Sequence, residues 1–472
     1  MIKKINKLLK KSVILCLTLV LAVIFSVFAF AGNIFGDVQS DGKVDTKDAV
    51  VLAQYLAGWD INPGVDEYYA ADVNFDGAVD TKDAVLLAQY LAQWNVTIGG
   101  VKEKDEIIED ENMIYTKSQL MAVLNMAWET NGTIIGEGNS AKDANMMGIA
   151  LEDFKNASGG ELPGMVGLDI GSAFMGNYRR KGLLDEIVAQ LADYAKQGGI
   201  IHTWAHMANP SPMPEDKTVW SHVWGKLGTH TEEDWQQLFT EGTEYNTKFK
   251  AALDDSAEFL KLLRDNGITA IWRPYHEHSG TWFWWCFGYK DAEGNRLDEK
   301  YFKQLWIYTY EYFTNEWGLD NLVWMYSPST GNYAHQLYGY PGDEYVDIVG
   351  FDWYTSGKYE EQNLAYNRLL ASGKSISLGE FGVTGAARAE DPANQSETWS
   401  CLDLLAYLEK AAEEGRRYSF WFNWSTPHQF SQLGHLDKLV ESPLVYCLDD
   451  VKNMFDNLKG ADNEFDAGGI VD

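Results

Sequence analysis

The sequence predicts a (β/α)₈ barrel preceded by a small all-α unit. From about Tyr115 onward, eight short apolar runs alternate with amphipathic stretches of helical period. Most of these runs begin apolar and end polar, as barrel strands do when their carboxyl ends line a cleft. Before Tyr115 one segment occurs twice, with a spacing of 35 residues. The 472 residues therefore divide into a repeat unit and a barrel.

Residues 1–31 have the features of a secretory signal peptide. Five lysines lie within the first eleven positions, an apolar run extends from Val13 to Phe28, and Ala29-Phe30-Ala31 offers a small-residue cleavage site. The run nearly reaches the length of a membrane span, so an uncleaved anchor is the alternative, which the cleavage site disfavours. No second apolar span follows. We therefore expect a secreted protein that does not insert into a membrane once the signal is removed.

The composition excludes one class of partner and limits the redox chemistry. The formal net charge of −31 would repel phosphate backbones and anionic membrane surfaces, so nucleic acid is not the expected partner. Only Cys286, Cys401 and Cys447 follow the signal, and they allow at most one internal disulfide. The barrel must therefore be held by its apolar core. Aromatic residues are abundant, and those that do not fill the core could stack on sugar rings.

The repeated segments begin with loops that alternate oxygen-bearing side chains. They read GDVQSDGKVDTKDAVVLAQYLAGW from Gly36 and ADVNFDGAVDTKDAVLLAQYLAQW from Ala71. Oxygen ligands at alternate positions, with Gly42 and Gly77 at the sharp turn, suit a structural Ca²⁺ ion. Two loops with the same spacing argue against a pair of chance acidic turns. The predicted ligands are Asp37, Gln39, Asp41, the Lys43 carbonyl and Asp48 in the first loop, and Asp72, Asn74, Asp76, the Ala78 carbonyl and Asp83 in the second.

The repeat unit resembles a type I dockerin, over residues 32–97. Dockerins attach enzymes to the cohesin domains of a scaffold protein, so the resemblance implies a cohesin partner and an extracellular, cellulosome-type complex. It also implies that Thr46-Lys47 and Thr81-Lys82 contact the cohesin. The charged residues 98–112 are interpreted as a linker to the barrel.

The barrel strands are predicted from the eight apolar runs. A doubly wound open sheet is the alternative, but no glycine-rich phosphate turn follows the first run. The predicted domain covers residues 113–460, and residues 461–472 form an acidic tail. The runs are 132–138, 163–171, 199–207, 268–277, 321–328, 346–354, 374–382 and 418–425.

Two glutamates at the carboxyl ends of runs four and seven are candidates for catalysis. Hydrolysis of a glycosidic bond uses two carboxyl groups, one protonated and one ionised, on either side of the bond. Glu277 lies in IWRPYHEHSGTWFWW and Glu380 in SLGEFG, and these runs are far apart in sequence but meet at the barrel mouth. Either residue alone could be a salt-bridged structural carboxylate. The pair, in so aromatic a setting, favours an active site.

RPYHEHSGTWFWW together with SLGEFG resembles glycoside hydrolase family 26, and within it the endo-β-1,4-mannanases. The resemblance implies that Glu277 is the acid/base, that Glu380 is the nucleophile, and that the anomeric configuration is retained. It further implies a set of residues that bind or orient the substrate and the nucleophile. This set comprises His206, Arg273, His276, Trp282, Asp352, Tyr354 and Trp421, with Trp424 as a competitor for the aromatic platform of the eighth strand.

The implied function is endo-acting hydrolysis of β-1,4-mannosidic bonds in mannan, glucomannan and galactomannan, with no cofactor for catalysis. One alternative keeps the family and changes the substrate to mixed-linkage β-glucan or β-1,3-xylan. Another alternative is a non-catalytic carbohydrate-binding component of the scaffold. The presence of both Glu277 and Glu380 argues against this second alternative.

Overall fold

The computed structural model describes most of the barrel and part of the repeat unit. The described residues are 36–39, 43–59, 70–71, 73, 79–92, 112–139, 146–210, 231–287, 298–331, 334–355, 360–383, 399–425 and 428–465. The predicted signal peptide, most of the predicted linker and the end of the acidic tail lie outside these ranges. The chain forms two compact units, Met1–Lys102 and Glu103–Asp472. Among the described residues, no helix combines the length and apolar character needed to span a membrane.

The first unit contains two equivalent helices, α1 (Thr46–Leu56) and α2 (Thr81–Leu91). Each begins at an aspartate, Asp45 or Asp80, whose side chain accepts a hydrogen bond from the backbone of the first turn. Leu52 and Leu87 are fully buried and form a small shared core with residues of the loops. The repeated sequence thus folds into two copies of one loop–helix element.

The second unit is a closed parallel barrel, and the predicted fold class is confirmed. All eight strands are parallel, and β1 pairs with both β8 and β2, which closes the sheet. A short ninth strand, β9 (Val445–Tyr446), pairs with the start of β1. The barrel strands are β1 (Thr133–Asn139), β2 (Met165–Asp169), β3 (Ile200–Trp204), β4 (Ala270–Arg273), β5 (Leu322–Tyr326), β6 (Ile348–Thr355), β7 (Ile376–Val383) and β8 (Phe420–Asn423).

Helices surround the barrel and cover the outward faces of its strands. Several begin at capping boxes, for example at Thr116 with Gln119, which satisfy the free N–H groups of the first turn. The helix α14 runs five residues beyond the predicted end of the barrel domain at residue 460. The helices are α3 (Lys117–Glu129), α4 (Met146–Ser158), α5 (Ser172–Lys181), α6 (Leu184–Lys196), α7 (Glu232–Phe239), α8 (Glu244–Asp265), α9 (Glu299–Glu311), α10 (Glu360–Leu369), α11 (Cys401–Glu413), α12 (Phe430–Leu433), α13 (Leu436–Val440) and α14 (Leu448–Phe465).

The interior of the barrel is packed with large side chains. His202 of β3 lies there fully buried, with its ring edge against Phe422 and tilted against Trp204. Burial lowers the pKa of His202 well below its usual value, so the ring is neutral. His202 therefore belongs to the core of the barrel. Cys286, Cys401 and Cys447 are all buried free thiols.

Strand β7 contains one residue more than its neighbour β6 over the same span. Phe351 pairs with Leu378, but the next residue, Asp352, pairs with Glu380, so that Gly379 is the additional residue. A side chain at Gly379 would collide with neighbouring polar side chains, because a Cβ there would lie 2.7 Å from Ser327 Oγ and 2.8 Å from Asp352 Oδ1. The bulge therefore requires glycine, and it brings Glu380 level with Asp352 at the barrel mouth.

Candidate active site

Glu277 lies in a tight turn that follows β4, and not in the strand itself as the predicted run implied. The strand ends at Arg273, and both Tyr275 and Glu277 have left-handed backbone conformations, with φ of 49° and 56°. The Glu277 N–H donates to the carbonyl of Ser327, at 2.8 Å, which ties the turn to the end of β5. Left-handed conformations are unfavourable for residues with a Cβ, and they concentrate at functional sites. The fold thus accepts local strain to aim Glu277.

The Glu277 side chain is half-buried, and Trp282 contacts one of its two carboxyl oxygens. Trp282 Nε1 donates to Glu277 Oε2 at 2.5 Å, and the partly exposed indole lies against Gly280, where a Cβ would approach the ring to 2.4 Å. Burial, followed by the negative charges of Glu380 and Asp352, raises the pKa of Glu277 well above its usual range. A carboxyl group held in this way remains protonated near neutral pH and can act as an acid.

Glu380 lies opposite, with a donor on each carboxylate oxygen. The Tyr354 hydroxyl donates to Oε1 at 2.5 Å, and Arg273 Nη2 donates to Oε2 at 2.6 Å. Charge-assisted bonds of this kind fix the orientation of a carboxylate. Glu277 differs in its hydrogen bonds, because its carboxyl contacts an indole N–H, whereas Glu380 is held by a guanidinium and a phenol.

Arg273 also binds Asp352, so one cation serves two carboxylates. Arg273 Nη1 contacts Asp352 Oδ2, and Ser327 Oγ donates to Asp352 Oδ1 at 2.6 Å. The side chains of Arg273 and Asp352 are completely buried. Burial raises the pKa of Asp352, and the charge of Arg273 acts in the opposite direction. Through Arg273, this network holds Glu380 at its Oε2 atom.

His206 and His276 lie side by side at the ends of β3 and β4. Their Nε2 atoms are 3.3 Å apart, and the rings are perpendicular. His206 Nδ1 contacts Asp169 Oδ2, and the His276 carbonyl accepts a hydrogen bond from Trp285 Nε1 at 2.8 Å. Asp169, the last residue of β2, was not among the residues singled out from the sequence. Asp169 is followed by Ile170 within the apolar run 163–171, so the sequence did not mark it as the polar end of a strand.

The prediction that Trp421 forms the aromatic platform is wrong. Trp421 is fully buried and packs against Trp353, Phe381 and Tyr407, between β8 and α11 on the outside of the barrel. The partly exposed Trp424, just past the end of β8, lies near the Tyr354 ring instead, at 6.5 Å between centroids. The structure therefore assigns the exposed aromatic surface beside Glu380 to Trp424.

The remaining predicted residues converge on one site at the barrel mouth. Glu277, Glu380, Arg273, Asp352, Tyr354, Trp282, His206 and His276 are linked by the hydrogen bonds and charge interactions described above. The site combines a carboxyl group of raised pKa, a second carboxylate held by two donors, and aromatic surface. This combination is suited to the cleavage of a glycosidic bond. The individual roles of these residues remain predictions.

Comparison with known proteins decides the family. Residues 110–397 match the family model described as glycosyl hydrolase family 26. The chain belongs to glycosyl hydrolase family 26. Residues 35–92 match the type I dockerin domain, so the family 26 barrel carries a dockerin at its N-terminal side.

The named relatives of this family 26 chain include several mannan endo-1,4-beta-mannosidases. One from Bacillus subtilis is 29% identical over 282 residues, which cover 57% of this chain and 74% of the relative. Another, the mannan endo-1,4-beta-mannosidase A and B of Caldalkalibacillus mannanilyticus, is 30% identical over 57% of this chain and 49% of its own length. Among solved structures, the Bacillus subtilis mannanase BCman superposes with a TM-score of 0.57 at 22% identity, over 72% of this chain and 96% of that one. This last likeness supports the fold alone.

The dockerin loops contain buried acidic residues suited to a calcium ion. Asp37 and Asp48 are buried in the first loop and Asp83 in the second. Asp48 accepts hydrogen bonds from the backbone N–H groups of Gln39 and Asp45, at 3.1 and 2.7 Å, which close the loop around it. Buried carboxylates need hydrogen bonds or a cation, so this donor set fits calcium. The predicted ligands Asp41, Asp72, Asn74, Asp76 and Ala78 lie outside the described residues.

Replacing Trp424 with alanine is expected to lower kcat/KM on a polymeric substrate by about tenfold. The reason is the loss of an exposed stacking surface beside Glu380, since an aromatic contact contributes about 0.5–1.5 kcal/mol. Kinetics on a soluble β-mannan measure the effect. Trp421→Phe is the matched control, because it opens a cavity in the outer layer. It should destabilise the barrel by about 1–3 kcal/mol and leave kcat/KM within about threefold of the wild type. The opposite ranking of the two kinetic effects would contradict the assignment of Trp424.

Replacing Glu277 with glutamine is expected to flatten the dependence of stability on pH. The folded protein keeps the Glu277 proton, whereas the unfolded chain loses it near pH 4.5. The wild type therefore loses stability relative to the variant as pH rises from 4.5 towards the raised pKa, by about 1.4 kcal/mol per pH unit. Chemical denaturation at several pH values measures this. Glu441→Gln, at an exposed position on the surface, is the control, and its stability should follow that of the wild type at every pH. If Glu277→Gln also followed the wild type at every pH, the pKa of Glu277 would not be raised.

Proposed function

We propose that this protein is a secreted, retaining endo-β-1,4-mannanase that is held on a cellulosomal scaffold by its dockerin. The observation that carries the catalytic part is the placement of Glu277 and Glu380 in one site with different hydrogen-bond donors, an indole N–H on Glu277 and a guanidinium and a phenol on Glu380. The names of the curated relatives support mannan as the substrate. Mannan, glucomannan and galactomannan are the proposed polysaccharides.

In the first step, Glu380 attacks the anomeric carbon while Glu277 protonates the departing glycosidic oxygen. The C–O bond to the leaving sugar breaks, and a covalent glycosyl ester forms on Glu380. Trp282 Nε1–H occupies Glu277 Oε2, which leaves Oε1 to carry the acidic proton towards the leaving group. Arg273 and Tyr354 hold the Glu380 carboxylate for the attack and receive the leaving carboxylate afterwards.

In the second step, Glu277 removes a proton from a water molecule that attacks the anomeric carbon. The ester bond to Glu380 breaks, and two inversions give net retention of configuration. Formation of the ester removes the negative charge of Glu380, which is one of the charges that raise the pKa of Glu277. The same carboxyl group can therefore act first as an acid and then as a base.

The dockerin is proposed to bind calcium through its two loops and a cohesin domain through its helices. Calcium would be held by the acidic residues of each loop and would fix the start of the following helix. The near identity of α1 and α2 would allow either repeat to face the cohesin. The predicted signal peptide and the dockerin together support an extracellular location.

The experiment that tests the proposed function is hydrolysis of three β-glycans by the purified full chain. We expect reducing ends from galactomannan, a rapid fall in viscosity, oligosaccharides of mixed length, and a β-anomer as the first product in proton NMR. The Glu277→Ala/Glu380→Ala double variant is the background control. Activity confined to lichenan or β-1,3-xylan would change the substrate. Inactivity on all three would support a non-catalytic component instead.

A further inference from the structure

The Asp169 carboxylate at the end of β2 has three hydrogen-bonding contacts, which divide between its two oxygens. Asp169 Oδ1 accepts from two backbone N–H groups, those of Gly171 at 2.8 Å and His206 at 3.2 Å. Among the described residues, the hydrogen-bonding contact of Asp169 Oδ2 is with the His206 ring, at Nδ1. The carboxylate is buried, so bulk water does not compete for these hydrogen bonds. One oxygen therefore holds the loop and the other is directed at an imidazole.

The His206 ring passes this contact on to His276. An ionised carboxylate only accepts hydrogen bonds, so the ring nitrogen facing Asp169 must carry a proton. Burial and the charge of Arg273 lower the pKa of His276 well below its usual value, so His276 is neutral and has one N–H. Two Nε2 atoms at 3.3 Å can form a hydrogen bond only if one of them carries a proton. With His206 protonated at Nδ1, that proton belongs to His276 Nε2.

We propose that Asp169 is a positioning residue, which fixes His206 as the Nδ1–H tautomer and thereby His276 as the Nε2–H tautomer. The chain then runs from His276 Nε2–H to His206 Nε2, and from His206 Nδ1–H to Asp169. His276 Nδ1 is left as a bare acceptor, and it is buried with no hydrogen-bond partner among the described residues. A sugar hydroxyl that reaches this bare nitrogen beside Glu277 can donate a hydrogen bond to it. This part rests on the proposed function.

The variant Asp169→Asn reverses the polarity of the chain while keeping its shape. The amide oxygen can replace Oδ1 and keep both backbone bonds. The amide nitrogen then faces His206 Nδ1 and, as a donor, demands an unprotonated ring atom there. His206 must move its proton to Nε2, His276 Nε2 becomes the acceptor, and His276 Nδ1 gains the proton. The group offered to a sugar changes from acceptor to donor. An aspartate-to-asparagine change that forces the wrong histidine tautomer is a known means of disabling a catalytic site.

The test is nitrogen-15 NMR of histidine-labelled full-length protein without substrate. His206 and His276 are assigned by the signals that disappear in His206→Gln and His276→Gln. In the wild type we expect a protonated Nδ1 and bare Nε2 on His206, and the opposite on His276. In Asp169→Asn both patterns should reverse, with a nearly unchanged unfolding midpoint. A doubly protonated His206, or an Nε2–H tautomer of His206 in the wild type, would overturn the proposal even if the variant did not fold.

Kinetics provide the second readout. Asp169→Asn should lower kcat/KM on mannan by about 100-fold, mainly through kcat, because His276 Nδ1 would offer a donor instead of an acceptor to the proposed sugar contact. Asp193→Asn, on the exposed surface of α6, is the matched control and should not change the rate. Reversed tautomers with an unchanged rate would also overturn the positioning role. If the wild type did not cleave mannan, the proposed function would fail while the NMR result still decided the tautomers.

Discussion

Replacing Glu380 with alanine is expected to lower kcat on mannan by about 10⁴-fold or more, because the variant lacks the nucleophile. Azide is expected to restore part of the turnover, since a small anion can enter the space left by the carboxylate. It attacks from the side that Glu380 occupied, so the product should be an α-glycosyl azide. Steady-state kinetics and NMR of the azide product measure both effects.

The matched variant Glu277→Ala separates the two carboxyl roles. It keeps the nucleophile, so the glycosyl-enzyme still forms from substrates with good leaving groups, and azide then attacks from the opposite face. The product should be a β-glycosyl azide, and the rate loss should be small for an activated aryl glycoside and large for mannan. A β-azide from the Glu380 variant, or a fully active Glu380 variant, would reverse or refute the assignment.

Replacing Arg273 with methionine is expected to destabilise the barrel by about 3–5 kcal/mol and to abolish turnover. Arg273 is completely buried and is the cation that binds both Asp352 and Glu380. Its removal leaves two buried carboxylates without a positive partner. Removing one partner of a buried ion pair is strongly destabilising because the remaining charge is buried and unpaired. Denaturation followed by tryptophan fluorescence gives the free energy of unfolding.

Two further variants test this explanation of the Arg273 effect. Adding Asp352→Asn to Arg273→Met removes one of the stranded charges and should restore part of the lost stability. Arg264→Met breaks a bidentate pair with Asp320, but the aspartate is half exposed, so the cost should stay below about 1 kcal/mol. Equal losses in Arg264→Met and Arg273→Met would mean that burial of the charges is not the cause.

The barrel could be predicted from the sequence because burial of parallel strands on both faces leaves a strong apolar signal. Each of the eight predicted runs overlaps a strand, and most of the strands are shorter than their runs. The difference matters at Glu277, which lies beyond the end of β4 in a turn with a left-handed backbone. Apolar periodicity carries no information about such a turn. The sequence did show that polar residues follow the apolar ones in these runs. From this pattern Glu277 and Glu380 were predicted to lie near each other at the barrel mouth.

Alternation along single strands was harder to read at the ends of the barrel. The β8 sequence FWFN is apolar in both phases, so a period of two cannot tell that Trp421 faces the helices. Glu137 of β1 illustrates the opposite difficulty, since it too is a glutamate in an apolar run. It faces outward and accepts a hydrogen bond from the Ser431 backbone at 3.2 Å, and burial raises its pKa to about 8. Only packing distinguishes it from the two glutamates of the cleft.

The bulge at Gly379 determines which side of strand β7 carries a carboxylate. Leu378 and Phe381 both face the helices although they are three residues apart, because the additional glycine shifts the phase of alternation. Under strict alternation Glu380 would face the same way as Leu378, towards the outer layer. The number of residues in β7 therefore determines which face of the strand carries Glu380. When related barrels are aligned, a one-residue gap in the seventh strand is therefore not a neutral length difference, because it decides whether a glutamate faces the cleft or the outer layer.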